Sequence, residues 1–230
     1  MLAMSAARPV SSLRGGAAVR RRERQQQILA ATRALFDARG VRDAQIDDIA
    51  RAVGINRAIV YRHFASKDEL FGLTLVDYLT ELDAGLASAA ETHAGADPEP
   101  RLRALAEIFV DFCLAYPAFT DCALELLRRP GSELLGEMSE AALFTLGRTM
   151  GTSLGRLADV LREGAAAGDF AVDDADLLAN LLYAQGLGAV HLARAGFIVT
   201  ADPAGSHFEP VEVERVREAA VRGLIATARG

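Results

Sequence analysis

Apolar residues recur at intervals of three and four along most of the chain, the spacing that places them on one face of an α-helix. The first such segment covers residues 22–39, carries Ile28 and Phe36, and ends at Gly40. No window alternates between apolar and polar positions as a half-buried strand would. The pattern predicts an all-α fold of about nine helices without a sheet, over residues 22–39, 46–53, 56–64, 67–91, 99–116, 118–129, 132–167, 175–195 and 210–228.

The second and third of these segments are short and lie close together in the sequence. Gly54 separates them, and glycine suits a chain reversal because it reaches positive φ without a steric penalty. Asn56 is placed to cap the third helix, whose apolar side carries Val60 and Phe64. Two short helices joined by a tight turn indicate a helix-turn-helix, in which the second helix enters the major groove of DNA.

The opposite side of the third helix carries groups that suit DNA. Arg57 can pair with guanine and Asn56 with adenine, while small apolar side chains there can contact a thymine methyl group. Hydroxyl, imidazole and ammonium donors further along suit phosphate oxygens, which position a protein without reading sequence. The predicted DNA-binding residues are Gln45, Asn56, Arg57, Ala58, Ile59, Tyr61, Arg62, His63 and Lys67.

The charge distribution supports a nucleic-acid partner, although the net charge of −6 alone argues against one. Residues 1–70 hold 13 basic and 7 acidic side chains, whereas the remaining residues hold 12 basic and 24 acidic ones. A basic front joined to an acidic body indicates that one end of the protein meets DNA. The change of sign near residue 70 also predicts a domain boundary.

The sequence carries no pattern that indicates catalysis, a cofactor or a metal. Its two cysteines, Cys113 and Cys122, are too few for a four-ligand zinc site and are typical of small buried side chains. No phosphate-binding loop or dinucleotide fingerprint is present. The arginine-rich N-terminal segment lacks the apolar stretch of a signal peptide, and no stretch is long and apolar enough to span a membrane. We therefore expect a cytoplasmic protein that is not an enzyme.

Residues 24–72 resemble the DNA-binding domain of the TetR family of bacterial transcriptional regulators. The run from Tyr61 to Lys67 is the most specific part of this resemblance. The sequence departs from the family pattern at Ala44 and Gln45, where Ser or Thr is usual, and at Asn56, which keeps the capping role. The matching positions are Gly40, Ile46, Ile49, Ala50, Gly54, Ile55, Val60, Tyr61, His63, Phe64, Ser66, Lys67 and Leu70.

The resemblance implies a ligand-responsive regulator, in its simplest form a repressor, that binds a palindromic operator as a homodimer and is released by a small hydrophobic effector. It implies a helix-turn-helix DNA-binding domain over 22–70 and a helical effector-binding and dimerisation domain over 71–230. Residues 1–21 are predicted to be a disordered tail. The four arginines at 20, 21, 22 and 24, where this tail meets the first helix, are either solvated or form an arm that follows the DNA backbone or minor groove.

Two further sets of candidates follow, and for both the alternative is an ordinary internal core. The candidate effector-binding residues form an aromatic-rich group with a tyrosine as polar handle: Phe109, Phe112, Cys113, Tyr116, Phe119, Phe144, Met150 and Tyr183. The family's last two long helices form its dimer interface, and the corresponding candidates are Leu178, Leu181, Leu182, Gln185, Ala189, Leu192, Val213, Val216, Ala220 and Leu224. Two other functions stay open, a helical interaction protein with a degenerate DNA head and an enzyme of unknown reaction.

Overall fold

The computed structural model describes residues 11–203 and 205–230, so the first ten residues of the predicted tail lie outside it. Within these ranges the chain forms ten helices and one antiparallel pair of strands. The helices are α1 Ser11–Arg39, α2 Ile46–Val53, α3 Arg57–His63, α4 Lys67–Thr92, α5 Pro98–Ala115, α6 Pro117–Leu127, α7 Gly131–Glu137, α8 Glu140–Ala167, α9 Ala175–Ala195 and α10 Val213–Arg229. The strands, between α9 and α10, are β1 Phe197–Asp202 and β2 Gly205–Pro210. The predicted all-α class is confirmed, with one small hairpin added.

The prediction of disorder is wrong for residues 11–21, which form the first turns of α1. Three arginines, two alanines and one leucine make up more than half of these eleven residues, and all three residue types are good helix formers. A helix already anchored at Ile28 extends backward through such residues without needing an apolar face of its own, because adding a residue to a formed helix is far easier than nucleating one.

The long helix predicted over 132–167 is two helices, α7 and α8. Met138 adopts an extended conformation between them, and its side chain is buried. Ser139 begins the second helix, since its hydroxyl accepts a hydrogen bond from the Ala142 N–H at 3.3 Å. Serine is a strong N-cap residue, and here it starts a new helix inside a periodic pattern that otherwise runs through.

The segment taken as a loop before the last helix contains the β-hairpin. Val199 pairs with Phe208 across it, and Phe197 pairs with Pro210. The β-branched and aromatic residues at 197–200 favour a strand. The Gly, Pro, Ser and His that follow are typical of a loop, so the sequence did not indicate that a second strand pairs with the first. The N–H of Gly205 donates to the carboxylate of Asp202 at 3.2 Å and closes the turn.

Two hydrophobic cores divide the molecule into a small head and a larger body. The head core lies between α1, α2, α3 and the start of α4, and includes Ile28, Ile49 and Val60. The body core joins α4 to α5, α6, α8, α9 and α10. Helix α4 belongs to both, with Leu70 in the head core and Leu75 in the body core.

Within the head, α2 and α3 are joined through a left-handed glycine. Gly54 has φ 70° and ψ 34°, and its N–H donates to the carbonyl groups at the end of α2. The side chain of Asn56 then caps α3 by accepting from the Ile59 N–H at 3.0 Å. The predicted turn and the predicted cap are both present.

We expect Gly54→Ala to destabilise the head, because an alanine at positive φ costs about 1–2 kcal/mol. Gly147→Ala is the matched control. Gly147 is an exposed residue inside α8 where an added Cβ meets nothing within 4 Å, so this change should stabilise the protein by about 0.5–1 kcal/mol. Urea unfolding of both variants measures the two effects. Equal shifts would show that the conformation of Gly54 does not matter.

Candidate functional site

Helix α3 presents an exposed polar and cationic face. Val60 is 1% exposed and fastens the helix to the head core. Arg57, Ala58, Tyr61 and Arg62 face solvent, and the remaining predicted residues of this helix are half-buried. The structure therefore brings most of the predicted DNA-binding residues onto one surface, together with the exposed Gln45 just before α2.

Arg57 is held loosely over neighbouring side chains. Its guanidinium carbon lies 5.5 Å from the ring centre of Tyr61, and one nitrogen lies 3.6 Å from the carboxylate of Asp47. Both partners are exposed, and ion pairs of this kind contribute little because water competes for them. The guanidinium is therefore free to exchange these contacts for a base or a phosphate. Asp47 was not foreseen, although its place in the first turn of α2 brings it beside the start of α3.

The side chain of Asn56 caps the N-terminus of α3. Its side-chain oxygen accepts from the Ile59 N–H, so only its amide nitrogen is free to donate. A bidentate contact to adenine needs both atoms, and forming one would break the cap. The structure thus favours capping over direct base recognition at this residue.

The C-terminal end of α3 lies beside basic residues of α1. Burial lowers the pKa of His63, and the nearby charges of Arg21, Arg62 and Arg24 lower it further. Its Nδ1 atom is buried without a hydrogen-bond partner among the described residues. The imidazole is accordingly neutral at neutral pH, and the cationic field at this end of the head comes from two different helices.

Lys67 stands at the first position of α4, at the edge of the same head. Its ammonium group lies 4.8 Å from the ring centre of Phe71, and its side chain is half-buried. The preceding residue, Ser66, caps α4 by accepting from the Glu69 N–H at 2.9 Å. The start of this helix is therefore well defined, and it sets where the ammonium group is presented.

A charged and aromatic network, which we term the Arg33 network, fastens the head to the body. The Arg33 guanidinium lies over the rings of Tyr78 and Tyr116, 4.2 and 5.3 Å from their centres, and pairs with Glu81. The Tyr78 hydroxyl donates to Asp37 at 2.6 Å, and the Tyr116 hydroxyl donates to Glu81 at 2.7 Å. The hydrogen bond from Tyr116 and the pairing with Arg33 lower the pKa of Glu81. One arginine thus joins α1 to α4 and to the junction of α5 and α6.

The body contains an apolar cavity of about 60 Å³ between α4, α5, α8, α9 and α10. Three of the predicted effector-binding residues, Phe109, Met150 and Tyr183, line it. Helix α4 contributes three leucines to its wall. The full lining is Leu79, Leu82, Leu86, Leu102, Leu105, Ala106, Phe109, Met150, Ser153, Leu154, Leu157, Leu182, Tyr183 and Leu224.

The other five effector candidates lie away from this cavity. Phe112, Tyr116 and Phe119 form an aromatic cluster with Tyr78, because that part of α5 faces α4 and α6 instead of α8. Cys113 is fully buried, and burial raises its pKa to about 12. The remaining candidate, Phe144, is 70% exposed on α8.

The predicted dimer face is a mixture of outward and inward residues. Leu181, Gln185, Leu192 and Val213 are exposed, and Leu178 and Ala189 are half-buried. Four others are corrected, because they pack inside the subunit where α9 and α10 meet each other and α5; they are Leu182, Val216, Ala220 and Leu224.

Several exposed apolar residues near this face were missed. Leu177 is 58% exposed and lies one turn before Leu181, a spacing that the sequence shows. Phe197, Val199 and Phe208 are exposed on one face of the hairpin, and the two phenylalanine rings meet edge-on at 5.3 Å. The spacing of Phe197 and Val199, two positions apart, is the sequence signal that could have indicated an apolar strand face here.

The described residues thus form a helix-turn-helix head and a helical body with an internal apolar cavity. The family model described as "Bacterial regulatory proteins, tetR family" matches residues 28–73. The HTH-type transcriptional activator FasR of Mycolicibacterium smegmatis is 37% identical over 105 residues, which are 46% of this chain and 47% of that protein. The resemblance to the TetR family that the sequence predicts is therefore confirmed over residues 28–73.

The overall fold agrees with that of solved structures of other proteins. The TetR family transcriptional regulator PfmR from Thermus thermophilus aligns with a TM-score of 0.58 at 22% identity, over 86% of this chain and 97% of that chain. The fatty acid degradation regulator FadR from Bacillus halodurans aligns with a TM-score of 0.61 at 16% identity, over 90% and 96%. The chain spans about half the length of the curated relatives it matches by sequence. Among the described helices, none has the length and apolar character that crossing a membrane requires.

We expect Glu81→Gln to remove a stabilising interaction that exists only while Glu81 is ionised. The folded-state pKa of Glu81 is lowered, so its contribution is present at neutral pH and disappears as the pH falls below about 4. The variant should be less stable than the wild type at neutral pH, and the two should converge in acid. Unfolding curves over a pH series measure this, with Glu133→Gln on the surface of α7 as control. A difference that persisted in acid would contradict the electrostatic explanation.

Proposed function

We propose that the protein is a transcriptional regulator that binds double-stranded operator DNA through α3. The observation that carries this proposal is the exposed face of α3, where Arg57 and Arg62 face solvent on a helix fastened by Val60. A helix presented in this way fits the major groove of B-DNA. The cationic residues of α1 near His63 and the ammonium group of Lys67 flank the helix and suit phosphates on either side.

The proposed binding unit is a homodimer on a palindromic operator. Exposed leucines 177, 181 and 192 follow one face of α9, and Val213 extends the surface onto α10. Burying such a face against a second copy stabilises the pair in proportion to the apolar area removed from water. A two-fold dimer presents two recognition helices about one DNA turn apart and so reads an inverted repeat.

The proposed effector is a small hydrophobic molecule that enters the cavity in the body. Ligand sites for such molecules have volumes of about 300–1,000 Å³, so this cavity must expand to admit one. Leu79, Leu82 and Leu86 of α4 would move outward with it, and α4 also holds the head through Leu70. Effector binding in the body is thereby expected to change the position of α3 and to release the DNA.

Repression is the proposed outcome at the promoter, because a regulator bound across an operator blocks access to it. The opposite sign is the second candidate, since the relative FasR is named as an activator. Both candidates use the same head and the same cavity. Transcription from a promoter that carries the selected operator, measured with and without the protein, distinguishes them.

We expect Arg57→Ala to relax sequence preference by about 1–3 kcal/mol at the bases it contacts. Lys67→Ala should weaken binding to all sequences alike and reduce the slope of log affinity against log salt by about one unit. Electrophoretic shifts of a duplex selected from a random pool, at several salt concentrations, measure both. Arg103→Ala, an exposed arginine on α5, is the control and should leave binding unchanged. A wild type that did not prefer the selected duplex over a scrambled one would contradict DNA recognition.

We expect Leu181→Asp to weaken the homodimer by about tenfold or more, because it removes a large apolar side chain and adds a charge to the proposed interface. Leu135→Asp is the matched control, since Leu135 is 71% exposed on α7, away from α9 and α10. Sedimentation equilibrium over a range of concentrations measures both variants. Equal dimer dissociation constants for the two would exclude this face of α9 from the interface.

A further inference from the structure

One residue of the cavity wall has a polar atom without a hydrogen-bond partner among the described residues. Tyr183 lines the cavity and is 8% exposed, and its hydroxyl is buried without a hydrogen bond to any described residue. Buried hydroxyl groups nearly always have a partner, because leaving one unpaired destabilises the fold. Burial raises the pKa of Tyr183, so the group stays protonated and can both donate and accept.

The other polar side chain in the lining is already occupied. Ser153 donates to Asp83 at 3.4 Å, and Asp83 is paired with Arg156 at 2.8 Å. The remaining lining residues, all of them described, are apolar and uncharged. An anionic ligand would have to bury its charge in an apolar cavity whose lining carries no cationic group. That arrangement carries a large desolvation penalty without compensation.

One wall of the cavity is able to move. The ring of Phe109 lies on Gly186, where an added Cβ would overlap it, and its centre is 5.6 Å from that of Tyr183. Phe109 is only half-buried, so its ring can turn outward without unpacking the core. Such a movement enlarges the cavity beside Tyr183.

We propose that the cavity selects neutral, mainly apolar molecules that carry one hydrogen-bonding oxygen, which pairs with the Tyr183 hydroxyl, and that it rejects a carboxylate on the same skeleton. The proposal rests on the proposed function in treating this cavity as the effector site. It specifies that the ligand is neutral and that it carries one polar group.

Toluene, benzyl alcohol and benzoate test this rule, because they share one ring and differ only in the attached group. Binding to the full-length protein is measured directly by titration calorimetry at neutral pH. The wild type should prefer benzyl alcohol to toluene and should bind benzoate most weakly. Tyr183→Phe should lower the affinity for benzyl alcohol by about five- to tenfold, the effect of one buried hydrogen bond, and leave that for toluene unchanged.

Gly186→Ala is a second, independent variant. Its Cβ displaces the Phe109 ring, the movement that enlarges the cavity, so the affinity for both neutral probes should rise together, whereas Gly147→Ala on the surface of α8 should change neither. Circular dichroism verifies that each variant is folded. The proposal is overturned if benzoate binds as tightly as benzyl alcohol, if Tyr183→Phe weakens both neutral probes equally or neither, or if no probe binds the wild type.

DNA binding is measured separately, with the selected duplex and saturating benzyl alcohol. If the three probes follow the rule but the DNA affinity does not change, the ligand site stands and the effector role fails. If DNA binding is specific but the probes break the rule, the regulator stands and this proposal fails. The two failures are therefore distinguishable.

Discussion

Helix α4 takes part in two hydrophobic cores, and most of the architecture depends on this one constraint. Leu70 completes the core that supports α3, while Leu75 and residues further along belong to the body. A helix is stiff along its axis because each residue is hydrogen-bonded to the next turn. A displacement of α4 in the body is therefore carried to the head instead of being absorbed between the two cores.

Polar contacts reinforce this connection on two sides of α4. The Arg33 network joins α1 to α4 and to the α5–α6 junction. At the start of α4, the Glu69 carboxylate accepts from the Ser139 N–H at 2.8 Å, and the Ser66 hydroxyl donates to the Glu137 carbonyl at 2.6 Å. Glu69 is 5% exposed, and its buried carboxylate accepts its hydrogen bond from the backbone at the start of α8. These two hydrogen bonds fix the start of α4 to the junction of α7 and α8.

The features predicted correctly are set by residues close together in the sequence. The features that were missed are set by which faces of the helices pack against each other. The turn at Gly54, the cap at Asn56 and the fastening by Val60 follow from residues within a few positions of one another, and all three are present. The effector candidates depend on which side of α5 faces which neighbour, and a periodic apolar pattern does not specify that. Phe109 and Phe112 are one turn apart, yet only Phe109 reaches the cavity.

The same limit explains the dimer candidates and the break before α8. Leu181 and Leu182 are adjacent and equally apolar, but the first faces solvent and the second lines the cavity. The break depends on Ser139, whose backbone meets Glu69 seventy positions earlier. Contacts of that range leave no periodic signal, so the pattern over 132–167 shows one helix where the structure has two.

The small size of the cavity is what allows the proposed effector to act at a distance. A ligand shifts an equilibrium between two conformations only through a difference in its affinity for them. A cavity that was large enough for its ligand in both conformations would bind it equally well in each and would shift nothing. Because this one holds about 60 Å³, a ligand must separate the leucines of α4 from the facing helices in order to enter. Binding and displacement of α4 then occur together, and the contacts of Leu70 and Arg33 pass that displacement to the head.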